Sequence, residues 1–347
     1  MSRAPLIQPN QNGLFCEAGG FYIDPWRPVD RAVITHAHSD HARSGSRAYL
    51  CSRRGEGVLR HRIGSAAPIE SLPFGEATTI NGVHVSLHPA GHILGSAQVR
   101  VEHQGEVWVV SGDYKTAPDA AAENFEPVRC DTFITECTFG LPIYRWPAQS
   151  EVFADMNRWW RANQALGRTS IVLAYSLGKA QRVLAGVDAS IGPIAVHGAV
   201  APFLPLYRRE GVALPEVETL TKDNAADYRG KGLVVAPGAV QGTTWLKKIA
   251  PNSLAFASGW MAVRGARRRL SLDRGFVLSD HVDWTGLIDA VKATGAENIG
   301  ATHGHTAPFI RYAREVMGLN AYNVPSRYEG ERIDREEPEE PQTELPL

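Results

Sequence analysis

The hydrophobic and polar positions of this chain change rhythm along its length. From residue 69 to 110 they alternate: Thr78-Thr79-Ile80, then Asn81-Gly82, then Val83-His84-Val85-Ser86-Leu87, then apolar-rich runs at 97–102 and 107–110. Period-two alternation marks strands with one buried face, and Asn-Gly between two such runs specifies a hairpin. Shorter strands are expected at 13–24 (Gly19 and Gly20 making a turn), at 31–35, at 47–51 and at 132–135, with a helix over 52–63 that Ser52 can cap. From about residue 150 the rhythm differs. An amphipathic helix over 150–166 carries Trp159 and Trp160, read as packing residues. Strands at 170–174, 194–196, 233–235 and 254–257 then alternate with helical stretches, the order of a parallel α/β unit. A short apolar run at 276–278, a helix at 284–294, a strand at 298–302 and a helix at 307–317 complete the patterned part. No internal repeat is visible, and the proline- and glutamate-rich remainder after Pro325 is expected to be disordered.

Composition narrows the class. With 347 residues, 44% of them hydrophobic and 21% charged, the chain suits one large soluble domain with an insertion and a sizeable core. The first thirty residues lack the basic start, apolar run and cleavage site of a signal peptide, and no stretch approaches the ~18 apolar residues of a membrane span. Cys16, Cys51, Cys130 and Cys137 are scattered with no C-x-x-C pair, which fits a reducing cytoplasm better than a disulfide scaffold. The formal charge is −1, but residues 329–347 hold eight acids against two arginines, leaving the rest of the chain at +5. A basic body with an acidic tail is compatible with a polyanionic substrate.

The candidate chemistry centres on Ile34-Thr35-His36-Ala37-His38-Ser39-Asp40-His41, a loop leaving an apolar strand. His36 and His38 are two apart and in extended chain share a side, while Asp40 and His41 turn elsewhere, which suits ligands divided between two metals. Neutral imidazole and carboxylate are a zinc ligand set that also accommodates manganese or iron. Further candidates follow other strands: His92, within His88-Pro89-Ala90-Gly91-His92-Ile93-Leu94-Gly95; Asp113, after Val109-Val110-Ser111-Gly112; and His303, after Ile299-Gly300-Ala301-Thr302. His88 competes with His92, but glycines flank His92. Ligands at successive strand ends converge on one rim.

His-x-His-x-Asp-His, then a loop histidine, then Ser-Gly-Asp, resembles the metallo-β-lactamase fold, an α/β four-layer αββα sandwich. The chain further resembles its β-CASP nuclease branch. Glu136 in Thr135-Glu136-Cys137 matches that branch's acid, His281 in Ser279-Asp280-His281-Val282-Asp283 its first histidine, and His303 its second. The resemblance implies a metallo-β-lactamase domain in two parts, 1–149 and 273–325, an α/β cap at 150–272, and an acidic tail at 326–347. Gly13-Leu14-Phe15-Cys16, Asp24-Pro25-Trp26-Arg27-Pro28-Val29-Asp30 and Phe139-Gly140-Leu141-Pro142-Ile143-Tyr144-Arg145-Trp146 are most similar to bacterial ligase-associated DNA exonucleases, implying repair work beside an ATP-dependent DNA ligase and a helicase. His303 points the other way, because RNA-cleaving members usually have histidine there and Artemis-type enzymes valine.

By this resemblance one metal takes His36, His38 and His92, the other takes Asp40, His41 and His303, and Asp113 bridges them. The metals are expected to be two divalent ions, zinc or manganese, that share an attacking hydroxide. His281 is the expected general acid, with Glu136 orienting it or raising its pKa. In the cap, Ser176 and Lys179 at an expected helix start near Leu177 can face the phosphate chain, as can Arg264 with Arg267, Arg268 and Arg269. Gln342-Thr343-Glu344-Leu345-Pro346-Leu347 is similar to sliding-clamp-binding peptides. An RNA-processing nuclease of the same fold is the alternative. A small-molecule hydrolase, thioesterase or silent binding module is disfavoured by the inserted block, Glu136, His281 and the intact ligand set.

Overall fold

The computed structural model describes residues 5–263 and 265–327. The first sheet takes its strands in sequence order: β1 (Gln8–Asn10), β2 (Gly13–Cys16), β3 (Phe21–Ile23), β4 (Ala32–Val33), β5 (Tyr49–Ser52) and β6 (Ile69–Leu72), with helix α1 (Glu56–Ile63) between the last two. The second opens with an antiparallel run, β7 (Ala77–Ile80), β8 (Val83–Pro89), β9 (Ala97–His103) and β10 (Glu106–Val110), and continues with β11 (Thr132–Cys137), parallel to β10. Asn81 and Gly82 both take positive φ (49° and 81°), the backbone their turn demands. On β8 the inward residues Val83, Val85 and Leu87 are fully buried; of the other face His84 is exposed and His88 half-buried, while Ser86 is buried.

The chain then leaves to build a third, all-parallel sheet. Its elements are α2 (Gln149–Ala165), β12 (Thr169–Leu173), α3 (Lys179–Gly186), β13 (Ile194–Val196), α4 (Leu204–Arg209), β14 (Glu218–Thr219), α5 (Ala225–Tyr228), β15 (Leu233–Ala236), β16 (Asn252–Ala257), α6 (Ala266–Arg269) and β17 (Arg274–Phe276). The strand order is β14-β13-β15-β12-β16-β17. Both faces are covered: Val172 of β12 packs with Met156 and Trp160 of α2, while Ile171 and Leu173 face the opposite cluster with Tyr228 and Ile249. That is why these strands read as continuous apolar runs rather than alternating ones. The chain returns through α7 (Trp284–Thr294) to β18 (Asn298–Gly304), which pairs parallel with β11, then α8 (Thr306–Glu315) and β19 (Asn320–Asn323).

Packing joins these pieces. Phe21, Ile23, Val33 and Leu50 of the first sheet meet Val83, Val85, Leu87 and Val99 of the second in one core. The other face of the second sheet, with Phe133 and Ile299, is covered by Leu287, Ile288 and Val291 of α7 and Phe309 of α8. On the far side of the first sheet, Val58 and Leu59 of α1 share a cluster with Leu177, Phe203 and Tyr207 of the third-sheet unit.

The structure differs from the sequence-based expectations at three boundaries. Ser52 ends β5 and does not cap α1; its hydroxyl bonds the Gly95 carbonyl and accepts from Gly55 N–H, and the helix begins at Glu56. Helix α3 begins at Lys179, after Gly178, not near Leu177. The third sheet runs through Phe276, past the expected limit of 272, because β17 pairs with β16. Arg264, almost all of the tail and the Gln342–Leu347 motif lie outside the described residues. Among the described residues no helix is long and apolar enough to cross a membrane.

Candidate metal centre

Topology brings the ligand candidates to one edge. Strands β8 and β10 are each antiparallel to β9 and hence run the same way, and β11 and β18 are parallel to β10. The loops after β8 and β10, carrying His92 and Asp113, and the C-terminal ends of β11 and β18, carrying Glu136 and His303, therefore lie at one edge, and the loop after β4 brings His36 to His41 against them. Gly112, at φ 56°, lets the Asp113 turn pass close to Thr35; a Cβ there would lie 2.6 Å from the Thr35 Cβ.

Asp113 is the hub. Its Oδ2 lies 3.4 Å from His41 Nε2, 3.6 Å from His36 Nε2 and 3.9 Å from His92 Nε2, and its Oδ1 lies 3.7 Å from His303 Nδ1. Asp40 Oδ2 is 3.5 Å from His41 Nε2, and His38 Nδ1 is 3.0 Å from His92 Nε2. Three groups with metal-ligand spacing result among the described residues: His36, His38, His92 and Asp113; His41, Asp113 and His303; and Asp113, Glu136 and His281. Six of the seven expected ligands fall in the His36–His38–His92–Asp113 and His41–Asp113–His303 groups; Asp40 lies outside them and touches the cluster through His41. His88, the competitor of His92, instead pairs with Ser86 Oγ at 3.0 Å.

Hydrogen bonds at the outer ring nitrogens fix which nitrogen faces inward. His38 Nε2 sits 3.2 Å from the Leu177 carbonyl and His92 Nδ1 2.9 Å from the Asp280 carbonyl. A carbonyl only accepts, so those nitrogens carry the protons, leaving His38 Nδ1 and His92 Nε2 as facing lone pairs. His41 Nδ1 is 2.7 Å from Asp24 Oδ2, and His36 Nδ1 is 3.0 Å from Thr35 Oγ1, whose hydroxyl donates to Asp24. His36 Nε2, His41 Nε2 and Asp113 Oδ1 are buried without a hydrogen-bond partner among the described residues. An unmet buried polar atom costs about 1–3 kcal/mol, so converging lone pairs and orphaned acceptors mark a place built for cations. The nitrogen and oxygen donors fit divalent ions.

Electrostatics divides the cluster. Burial lowers the pKa of His36, His38 and His92, and neighbouring imidazoles push His36 and His92 well below the usual range. Burial acts on His41 too, but Asp40, Asp113 and Asp24 outweigh it and hold its pKa well above the usual range. Burial would raise the Asp113 carboxyl; the nearby imidazoles of His41, His281 and His303 outweigh it and carry it well below the usual carboxylate value.

Beside this cluster His281 Nδ1 lies 3.0 and 2.9 Å from the two oxygens of Glu136, and Glu136 Oε1 also accepts from Tyr114 N–H at 2.8 Å. Trp146 Nε1 donates to the His281 carbonyl at 2.9 Å. The His281 and His92 rings are 4.8 Å apart between centroids.

The third-sheet candidates fare differently. Ser176 and Lys179 flank Leu177, whose carbonyl faces His38, yet Lys179 is wholly buried, with its ammonium 3.4 Å from Asp280 Oδ1 and 4.5 Å from the Tyr175 ring centroid. The expected phosphate contact of Lys179 is therefore corrected: a buried ammonium committed to a carboxylate does not face a solvent-borne chain. Ser176 is also buried. Sequence reasoning gave no role to Asp24, which stands one residue past an apolar strand, the signal that had selected Asp113.

No protein-family model matches the chain. It is 30% identical over 316 residues to a probable DNA ligase of Opitutus terrae, covering 90% of this chain and 30% of that protein. It is 28% identical over 170 residues to the endoribonuclease ysh1 of Aspergillus fumigatus, covering 46% of this chain and 19% of that protein. The chain thus spans under a third of the length of either relative. A crystal structure of a protein of unknown function from Enterococcus faecalis V583 superposes with a TM-score of 0.58 at 9% identity, over 87% of this chain and 80% of that one, and shares its fold. These relatives are consistent with the β-CASP branch to which the motifs point.

Proposed function

We propose that the protein is a metal-dependent phosphodiesterase, a DNA exonuclease of repair, built as a metallo-β-lactamase αββα sandwich with the third-sheet unit as its β-CASP cap. The observation that carries this reading is Asp113 within 4 Å of four histidines beside a buried His281–Glu136 pair. His36, His38 and His92 would hold one ion, Asp40, His41 and His303 the other, with Asp113 shared; when bound, the pair supplies Lewis-acid stabilisation of phosphate oxygens and a nucleophile at neutral pH. Glu136 fixes the proton of His281 on Nδ1, so Nε2 is the nitrogen that delivers a proton to the departing sugar oxygen. Asp24 orients His41, and Thr35 orients His36.

DNA as substrate is supported by the similarity of most of this chain to part of a protein named a probable DNA ligase. A ligase, a helicase and, through Gln342–Leu347, a sliding clamp are the partners this reading carries, in the cytoplasm. RNA is the second reading, favoured by the relative named an endoribonuclease and by His303. Purified protein incubated with end-labelled DNA and RNA of matched sequence, under zinc, manganese or EDTA, tests both. Metal-dependent shortening of DNA from an end supports the first reading, preferential RNA cleavage the second, and metal-independent or absent cleavage of both removes the proposal.

A further inference from the structure

The turn and first helical turn of the third-sheet unit do more than sit near the ligands. Leu177 gives its carbonyl to His38 Nε2. Gly178, at φ 91°, brings this turn so close that a Cβ would lie 2.3 Å from Ile93 Cγ2, beside His92. Arg182, only 2% exposed, reaches across into the other half of the molecule. Its Nη2 donates to the His92 carbonyl at 2.8 Å, its Nη1 lies 2.8 Å from Asp280 Oδ1 and 3.3 Å from the Ser279 carbonyl, and its Nε donates to Asp119. Lys179 binds the same Asp280 carboxylate, and Lys115 pairs with Asp119 at 3.0 Å. The Asp280 carbonyl in turn holds the ring of His92. One guanidinium from the third-sheet unit thus grips both the backbone of a candidate ligand and the residue that orients its imidazole.

We propose that the segment from Leu177 to Arg182 is a structural part of the His36–His38–His92 ion site, with Arg182 its positioning residue, so that docking of the cap and loading of that ion are linked. This rests on the metal-centre reading above. Truncating the guanidinium frees the His92 backbone and leaves Asp119 and Asp280 undercompensated, which lets the His92 ring and the Leu177 carbonyl drift from their places. Arrangement of such partners around a metal ligand is worth roughly 10–100-fold in affinity. The linkage is reciprocal, so an ion bound there tightens the cap. The other flank depends on Asp24, which belongs to the first sheet's side, and is expected to be indifferent to Arg182.

The test uses the full-length protein freed of metal and titrated with zinc chloride against a chelating indicator, with ion count by native mass spectrometry. Wild type is expected to take two ions. Arg182→Met is expected to weaken one of them by roughly 10–100-fold and leave the other unchanged; Arg182→Lys, which keeps a charge for the two carboxylates but loses the fork, should show the same single weakened ion. Backbone hydrogen exchange over 177–186 in wild type is expected to slow when zinc replaces EDTA, a readout that survives if neither variant folds. Folded variants that bind both ions with wild-type affinity, or exchange over 177–186 that zinc does not change, would overturn the linkage. A wild-type chain that takes up no zinc would instead remove the metal-centre reading itself.

Discussion

His41 and His92 belong to different candidate ion groups, two flanks of one cluster that meet at Asp113, and different parts of the molecule hold them. His41 is fixed by Asp24, a carboxylate at the end of β3, and is surrounded by Asp40 and Asp113 as well. His92 is fixed by a backbone carbonyl and, through it, by Arg182 of the third-sheet unit. Burial is nearly complete at both, so desolvation alone would make both imidazoles neutral. Three carboxylates reverse that at His41, whereas at His92 the neighbouring imidazoles of His281 and His38 add to it. The lesson is that burial sets the baseline for a buried histidine and the nearest charges decide its state. One flank is electrostatically rich and built from one half of the molecule. The other has neutral imidazoles from the same half, held in part by Leu177 and Arg182 of the insertion.

Asp113 is common to both candidate ion groups, so its removal should abolish the comparison. Asp113→Ala is expected to lose both ions and fall to background activity, measured by metal content and by cleavage of end-labelled DNA. Full activity would end the bridging role. His281→Ala separates chemistry from binding: both ions should remain while turnover falls roughly a hundred- to ten-thousand-fold. A substrate with a better leaving group should recover part of that loss, and a variant that sheds metal would make His281 a ligand.

Asp24→Asn sharpens the contrast from the side of His41. It should weaken one ion by roughly 10–100-fold and leave the other flank loaded, the converse of Arg182→Met; weakening of both ions equally would show that the flanks do not act separately. The raised pKa of His41 makes a finer distinction. Below its raised value His41 carries a proton that an incoming ion must displace, so loading of that flank should grow with pH and release about one proton. The lowered values of His36, His38 and His92 leave those rings neutral already, and the other flank should load with little proton release. Calorimetry in buffers of different ionisation enthalpy measures this directly. The smallest effect is a control: Ile171→Val, deep in the far face of the third sheet, should cost about 0.5–1.5 kcal/mol of stability and leave both ion affinities unchanged. A drop in zinc affinity there would mean that any loosening of the insertion, not the Arg182 contact, governs the flank.

Much of this was legible in the chain itself. Alternation at 83–87 and the Asn81-Gly82 turn specified a half-buried hairpin because strand faces repeat every two residues. The strands alternating with helical stretches after residue 150 pointed to a parallel α/β unit. The ligand candidates could be read because histidine and aspartate just past apolar strands have little other reason to recur, and Asp24 could have been found by the same logic. What the sequence could not express was who orients whom. Leu177 contributes a carbonyl, which every residue has, and Arg182 lies on a short helix whose pattern of lysine, glutamine and arginine looks like a solvated face. Lys179 invited the same misreading and is buried against Asp280. Local pattern records how each segment divides between oil and water. Only the closure of contacts between residues 139 positions apart, as between His38 and Leu177, decides which nitrogen carries a proton.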